Sequence, residues 1–240
     1  NLGVQVREVR AFGLHTCAVL WDRSLQCWGA NANGRLGLGT DINRGDSTAS
    51  VPDHRMGSDL PLVNMGTGRI IRFLASSGSR ADHTCAVLDD YSLKCWGRNN
   101  VGQLGYGDTE DRGDVGDETG DGLLAVSLGT GRTARAVTTG VGHTCVLLDD
   151  GSVKCWGSNE YGQLGLGDTA QRRAPVDVVR LGSGRRARAI ASGASHTCAL
   201  LDNGQVKCWG RNGDGQLGYG DTTHRGTLSN QMGNALRAVN

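Results

Sequence analysis

His143-Thr144-Cys145 through Cys155-Trp156-Gly157 reads HTCVLLDDGSVKCWG, and versions of it recur throughout the chain. The others are HTCAVLWDRSLQCWG from His15 to Gly29, HTCAVLDDYSLKCWG from His83 to Gly97, and HTCALLDNGQVKCWG from His196 to Gly210. Each is followed by a glycine-rich tail: GRLGLG ending at Gly39, GQLGYG at Gly107, GQLGLG at Gly167 and GQLGYG at Gly220. Self-similarity of this strength decides an architecture before any single motif does.

Each copy reads as a β-hairpin. Two short apolar-rich runs flank Asp149-Asp150-Gly151, a turn signal. Three loop residues ending in glycine suit a type I turn closed by a bulge, with Gly151 at positive φ. In that register Cys145 lies opposite Cys155 as a non-hydrogen-bonded pair, with Cα atoms roughly 4.5 Å apart, at the short end of disulfide range. The same spacing joins Cys17 to Cys27, Cys85 to Cys95 and Cys198 to Cys208, and all eight cysteines are then used. Free buried thiols are the competing reading. Zinc fits less well, because there is no CxxC pair and a set drawn from His143, Cys145 and Cys155 lacks a fourth ligand.

Glycine is the compositional outlier, at 39 of 240 residues, and it falls at fixed repeat positions. That distribution means backbone turns, not disorder. The formal net charge of +1, from 25 basic and 24 acidic residues, advertises neither nucleic acid nor an anionic membrane as partner. No apolar run approaches membrane-spanning length. Paired cysteines favour an exported protein, secreted or at the cell surface.

Two further strands fit between each tail and the next HTC. One covers 60–63, 123–126, 176–179 and 236–239; the other covers 69–74, 4–11, 132–137 and 186–190. The expectation is an all-β chain of four repeats with four short antiparallel strands and one disulfide each. It is read as a single domain, 1–240, with repeats at about 1–59, 60–122, 123–175 and 176–240. The strand from Leu236 to Val239 is in phase with the N-terminal strand. It is expected to pair outside its own repeat, closing a ring or joining a second molecule into a fibre, because an open strand edge recruits a neighbour.

The composite HTCALLDDGSVKCWGxNxxGQLGLGDT resembles the repeat of the regulator of chromosome condensation family, with its Gly-x-x-His-Thr segment, strand ending in Trp-Gly and Gly-Gln-Leu-Gly turn. The resemblance covers essentially the whole chain and implies a β-propeller. The cysteine pairs resemble the bacterial exported branch. One departure stands out: the family's usual ring has seven blades, and four repeats are present here. Four blades is the lower end of the propeller range.

His15, His83, His143 and His196 are equivalent. They could ring a metal on a central axis, but four equal copies argue for a structural task where strands crowd together. Trp28, Trp96, Trp156 and Trp209 read as packing. Arg44-Gly45-Asp46 and Arg112-Gly113-Asp114 match an adhesion tripeptide, although a turn with a guanidinium anchor explains both. The loop from Asp108 to Asp121 is rich in carboxylates among glycines. It could hold calcium, or be a solvated loop. No GxSxG elbow and no phosphate loop occur.

The sequence therefore predicts a non-enzymatic extracellular propeller without a cofactor, acting as a protein-interaction module. Its contacts are placed on the polar inserts 41–59 and 108–122, with Arg44, Asp46, Asp53, Arg112, Asp114, Asp117 and Asp121 as candidate residues, since binding function concentrates on such loops. A structural subunit assembled through its terminal strands is the alternative. A secreted protein inhibitor is a more distant one, by analogy of fold alone.

Overall fold

A computed structural model describes residues 4–46, 56–57, 59–77 and 80–239. The chain is an all-β propeller of four blades, with one disulfide per repeat. Blade 1 contains β1 (Val6–Ala11), β2 (His15–Leu20) and β3 (Leu25–Gly29). Blade 2 contains β4 (Ile71–Leu74), β6 (His83–Leu88) and β7 (Leu93–Gly97). Blade 3 contains β8 (Ala134–Thr139), β9 (His143–Leu148) and β10 (Val153–Gly157). Blade 4 contains β11 (Ala187–Ser192), β12 (His196–Leu201) and β13 (Val206–Gly210). A two-residue strand, β5 (Ser76–Ser77), crosses from blade 2 and pairs in parallel with β8.

The hairpins have the expected register. Cys145 faces Cys155, and the three equivalent pairs do likewise. All four pairs are bonded, each across a Cα–Cα distance of 4.1 Å. The third turn residue adopts positive φ in every blade: 80° at Gly151, 83° at Gly204, 68° at Arg23 and 66° at Tyr91. Each first strand carries a bulge at one place, opposite the end of the second strand, and the residue it displaces is an arginine: Arg7, Arg72, Arg135 or Arg188.

The outermost strand differs from the expectation in two ways. It is reduced to one backbone hydrogen bond onto the hairpin, from Val63 N–H to Leu25, Val126 to Leu93, Val179 to Val153 and Val239 to Val206. Alternate side chains seat it instead: Leu60, Val63, Leu123, Val126, Val179 and Leu236 are buried, while Leu62, Leu124 and Val178 face solvent. Each such segment also completes the blade of the hairpin before it. The segment from Leu236 to Val239 accordingly docks on blade 4, within its own repeat. Its backbone hydrogen bond goes to Val206 of β13, so among the described residues the segment pairs within its repeat and not outside it.

The core lies between blades. The disulfide face of one blade packs against the tryptophan face of the next. Cys17, Val19 and Leu25 meet Ala86, Leu88 and Trp96; Cys85, Val87 and Leu93 meet Val146, Leu148 and Trp156; Cys145, Leu147 and Val153 meet Ala199, Leu201 and Trp209. Burying such faces is what a single blade cannot do alone.

A polar staple crosses each boundary. His15 Nε2 lies 2.7 Å from Thr84 Oγ1, His83 Nε2 lies 2.8 Å from Thr144 Oγ1, and His143 Nε2 lies 3.0 Å from Thr197 Oγ1. Each threonine hydroxyl donates to a tail carbonyl of the preceding blade, that of Arg35, Gln103 or Gln163. The tryptophan indole of the same blade donates to that carbonyl too. With its proton committed, the threonine oxygen accepts from the imidazole, which fixes the Nε2–H tautomer. Burial depresses the pKa of His15, His83 and His143 to about 3, so all three are neutral. These histidines join neighbouring blades through Nε2.

Candidate interaction site

The glycine tail after each Trp-Gly is organised by one buried asparagine. Asn31, Asn99, Asn159 and Asn212 each accept the N–H of the tail leucine and donate to tail carbonyls further on. This places the arginine of the following turn. The Arg112 guanidinium reaches Asp108 at 2.8 Å, and Arg172 and Arg225 reach Asp168 and Asp221 at 2.7 Å. Two blades add a tyrosine strap. The Tyr106 hydroxyl accepts from Cys95 N–H and sits 3.0 Å from the Leu124 carbonyl, tying the outer segment to the hairpin. Tyr219 does the same between Cys208 and Arg237. Burial pushes both phenols above their ordinary pKa. The asparagine stands in the repeat composite, yet its role and that of the tyrosines are not evident from spacing. Both are hydrogen-bonding roles that only the folded tail defines.

The loop from Asp108 to Gly122 is built on this frame and pinned along its length. Asp108 is held by Asn99 and Arg112, and Asp111 accepts from Asn33 and from Asn99 N–H. Gly113, at φ 91°, packs on the Gly34 carbonyl of blade 1, a place with no room for a side chain. At the far end Gly120 N–H donates to Asn64, the Gly120 carbonyl accepts from Lys94 Nζ, and Asp121 accepts from the backbone and hydroxyl of Thr67. The loop and the outer segment of blade 2 enclose a cavity of about 1060 Å³, lined among others by Tyr106, Glu110, Asp111, Asp114, Glu118 and Leu124. Burial and the neighbouring Asp114 raise the Glu118 pKa. The unanchored apolar group on the rim is Val115, which is exposed.

Two family models describing the regulator of chromosome condensation (RCC1) repeat match the chain, one at residues 150–200 and the other at 76–103, 134–163 and 187–216. The chain carries RCC1 repeats. Its relatives include the ultraviolet-B receptor UVR8 of Arabidopsis thaliana, 31% identical over 93% of this chain and 45% of that protein. They also include human HERC4, a probable E3 ubiquitin-protein ligase, 31% identical over 96% of this chain and 20% of that protein. The RCC1 repeats here thus span less than half the length of either relative. Among solved structures, human WBSCR16 superposes with a TM-score of 0.73 at 21% identity, over 99% of this chain and 53% of that one. The complex of Kap60 with yeast RCC1 (Prp20) gives 0.66 at 21% identity, over 93% and 48%. These likenesses show the propeller fold.

Within the RCC1 frame the candidate residues separate. Arg112 is a turn anchor, and the buried Gly113 makes the second Arg-Gly-Asp a piece of blade interface. Arg44 bridges its backbone to Gly29, and Asp46 is part of the same turn. Thr40 stands where the other tails have the clamping aspartate. Asp121 is committed to Thr67. Asp117 remains on the exposed side of the loop and Asp114 is half-buried against Glu118, with exposed Glu110 and Val115 added by the structure. Asp53 lies outside the described residues. Among the described residues no three His, Cys, Asp or Glu side chains converge as metal ligands. Asp108, Asp111 and Asp121 spend their oxygens on the asparagine, arginine and threonine donors named above. No helix among the described residues is long and apolar enough to cross a membrane.

Proposed function

We propose that this RCC1-repeat chain is a non-enzymatic, exported protein-interaction module that binds its partner through the loop from Asp108 to Gly122. The observation that carries the reading is a pinned loop around an acidic cavity. It is held at both ends by Arg112, Asn99, Lys94 and Thr67, while Glu110, Asp117 and Val115 face outward. A rigid loop of this kind loses little conformational entropy on binding. Carboxylates bordering apolar Val115 and Leu124 suit a partner segment that presents a lysine or arginine beside an apolar side chain.

Export is supported by one disulfide per hairpin and no free cysteine. Intact-mass measurement under alkylation without reductant is expected to show no added label; labelled thiols would remove the compartment argument. The binding reading is tested by reversing the loop's charge with Glu110→Lys and Asp117→Lys, both at exposed side chains. A protein retained from the cell-surface fraction by the wild-type chain is expected to be lost from the reversed chain, and its binding to weaken with salt. Equal retention by both chains moves the interaction off this loop.

A further inference from the structure

The bulge in each first strand sets one side chain outside the ladder, and in all four blades that side chain is an arginine: Arg7, Arg72, Arg135 and Arg188. A bulge re-aims a side chain away from the regular pleat. All four arginines are exposed. Among the described residues none of them has a carboxylate or a hydrogen-bond partner, although arginines close by in sequence do. Arg69 holds Asp89 and Asp90, Arg132 holds Asp149 and Asp150, and Arg185 holds Asp202. The carboxylates of those hairpin turns are committed to that second set, and the bulge arginines keep an uncompensated charge.

These arginines stand at the end of the blades that carries the hairpin turns. Asp149 N–H donates to the Thr133 carbonyl and Asp202 N–H to that of Arg186, which brings the start of the first strand beside the turn. The glycine tails and Arg112 leave from the other end, where Gly97 bridges to Arg112. The formal net charge of +1 thus averages a loop rich in carboxylates with an end rich in guanidinium. The boundary between blades 2 and 3, both internal to the array, shows the arrangement most fully. Arg72 and Arg135 flank a hollow of about 570 Å³ there, with Tyr91 and Asp149 also in its lining. The Arg72 guanidinium lies over the Tyr91 ring, 4.3 Å from its centroid, a cation–π contact that fixes its plane and leaves its N–H groups unused. Asp149, the carboxylate in the hollow, is already held by Arg132 at 3.3 Å and by Thr133 N–H at 3.1 Å.

We infer that this hollow is a binding site for a carboxylate-bearing sugar, and that the bulge arginines take an acidic polysaccharide, a polyuronate, laid across the turn end of the blades. A guanidinium fork matches a carboxylate through two parallel hydrogen bonds. One such arginine recurs per blade, and a polymer of a single sugar acid likewise offers its carboxylates at a fixed interval. A folded protein partner offers no repetition of that kind. Arg7 and Arg188 continue the row, but Arg72 and Arg135 carry the site. The choice of a polysaccharide rests on the export reading, since an exported chain meets such polymers at a cell surface. The site shares no residue with the acidic loop, so the two binding readings stand or fall separately.

The test is binding of the whole chain to immobilised polygalacturonate at low salt, with neutral dextran as the blank. The wild type is expected to bind, and to weaken as salt is raised. Arg72→Gln combined with Arg135→Gln, both at exposed side chains, is expected to lose roughly tenfold or more in affinity at an unchanged urea midpoint. Arg173→Gln combined with Arg211→Gln removes the same charge from exposed side chains at the other end of the blades, and is expected to bind like wild type. A wild-type chain that does not bind overturns the inference, as does a variant pair at 72 and 135 that binds undiminished. An equal loss in the pair at 173 and 211 also overturns it, because the attraction is then one of net charge. Equal binding of polyglutamate or of a single-stranded oligonucleotide of the same charge density overturns the assignment to a polysaccharide. The assay is independent of compartment, so its failure leaves the export reading to the thiol labelling that tests it.

Discussion

Blade 1 and blade 3 are cut from one template, and they differ at nearly every position where the template asks for a special residue. Blade 3 has Gly151 at the left-handed turn position; blade 1 has Arg23. Blade 3 has Asp168 to clamp Arg172 at 2.7 Å; blade 1 has Thr40, and the buried Nε of Arg44 finds no partner. Lys154 reaches the Leu128 carbonyl in blade 3, whereas Gln26 reaches the Leu60 carbonyl in blade 1. Trp156 is fully buried beneath the tail of blade 2, while Trp28 is partly exposed. The disulfide, by contrast, is the same in both. The crosslink and the hairpin register persist where local turn chemistry is poor and where the tryptophan is only partly covered. The staples between blades then decide how much each equivalent residue contributes.

The largest effect should come from breaking that comparison at tryptophan. Trp156→Ala removes a fully buried indole and its bond to the Gln103 carbonyl, and a cost of about 3–5 kcal/mol is expected. Trp28→Ala removes a partly exposed ring whose indole has no carbonyl partner among the described residues, and less than half that loss is expected. Urea midpoints for both variants give the answer. Equal losses would mean that blade 1 is as tightly covered as blade 3, against the exposures seen here.

Next in size is the acid response of the staples. The folded-state pKa of His83 and His143 lies below that of a free imidazole, so the unfolded chain binds more protons between the two values. Their contribution is therefore complete above about pH 6.5 and is lost as the pH falls toward 3. Asp90, Asp150 and Asp221 also sit below the ordinary carboxylate range, but they act at the lower end of that window. Between about pH 6.5 and 4 the histidines dominate. His143→Gln is expected to flatten the pH dependence of the urea midpoint there by close to one proton. His196→Gln, at a partly buried imidazole, is expected to flatten it less. An unchanged slope in His143→Gln would place the proton uptake elsewhere.

The hairpins, their cysteine pairing and the propeller class are legible in the sequence because each rests on spacing within a short segment. Cys145 faces Cys155 on account of the turn between them, whatever the rest of the chain does. The outer segment was harder to read. Alternating apolar residues at 60–63 and 236–239 suggest a strand, but with one backbone hydrogen bond the segment is held by side chains such as Leu60 and Leu236. Its assignment to the preceding hairpin depends on contacts that a repeat boundary drawn on sequence does not contain. The four histidines look equivalent in sequence, yet among the described residues three have a threonine partner and His196 does not; that difference belongs to the packing of whole blades. In the acidic loop the density of carboxylates was plain. What was not is that Asp108, Asp111 and Asp121 are anchors and that Asp114 pairs with Glu118, leaving Glu110 and Asp117 outward.

The smallest effect, and the sharpest on the comparison, lies at the hairpin turn. Arg23 at φ 68° occupies a conformation that costs a residue with a side chain about 1–2 kcal/mol. Arg23→Gly removes that strain but adds chain entropy to the unfolded state, about 0.5–1 kcal/mol. Strain exceeds entropy, so a modest gain in stability of about 0.5 kcal/mol is expected by this difference. Gly151→Ala runs the other way. It adds the strain, and a Cβ there would stand 2.9 Å from that of Arg186, so a loss of about 1–2 kcal/mol is expected. The disulfide gives the pair a common reference. Both crosslinks close loops of the same length, with a sequence separation of 10, and so constrain the unfolded chain alike. Removing the Cys17–Cys27 crosslink should nevertheless cost more than removing Cys145–Cys155, because the hairpin with Arg23 has the poorer turn to fall back on. In an Arg23→Gly background the two costs should converge. If they stay apart, the difference between the blades is not in the turn but in the cover over Trp28.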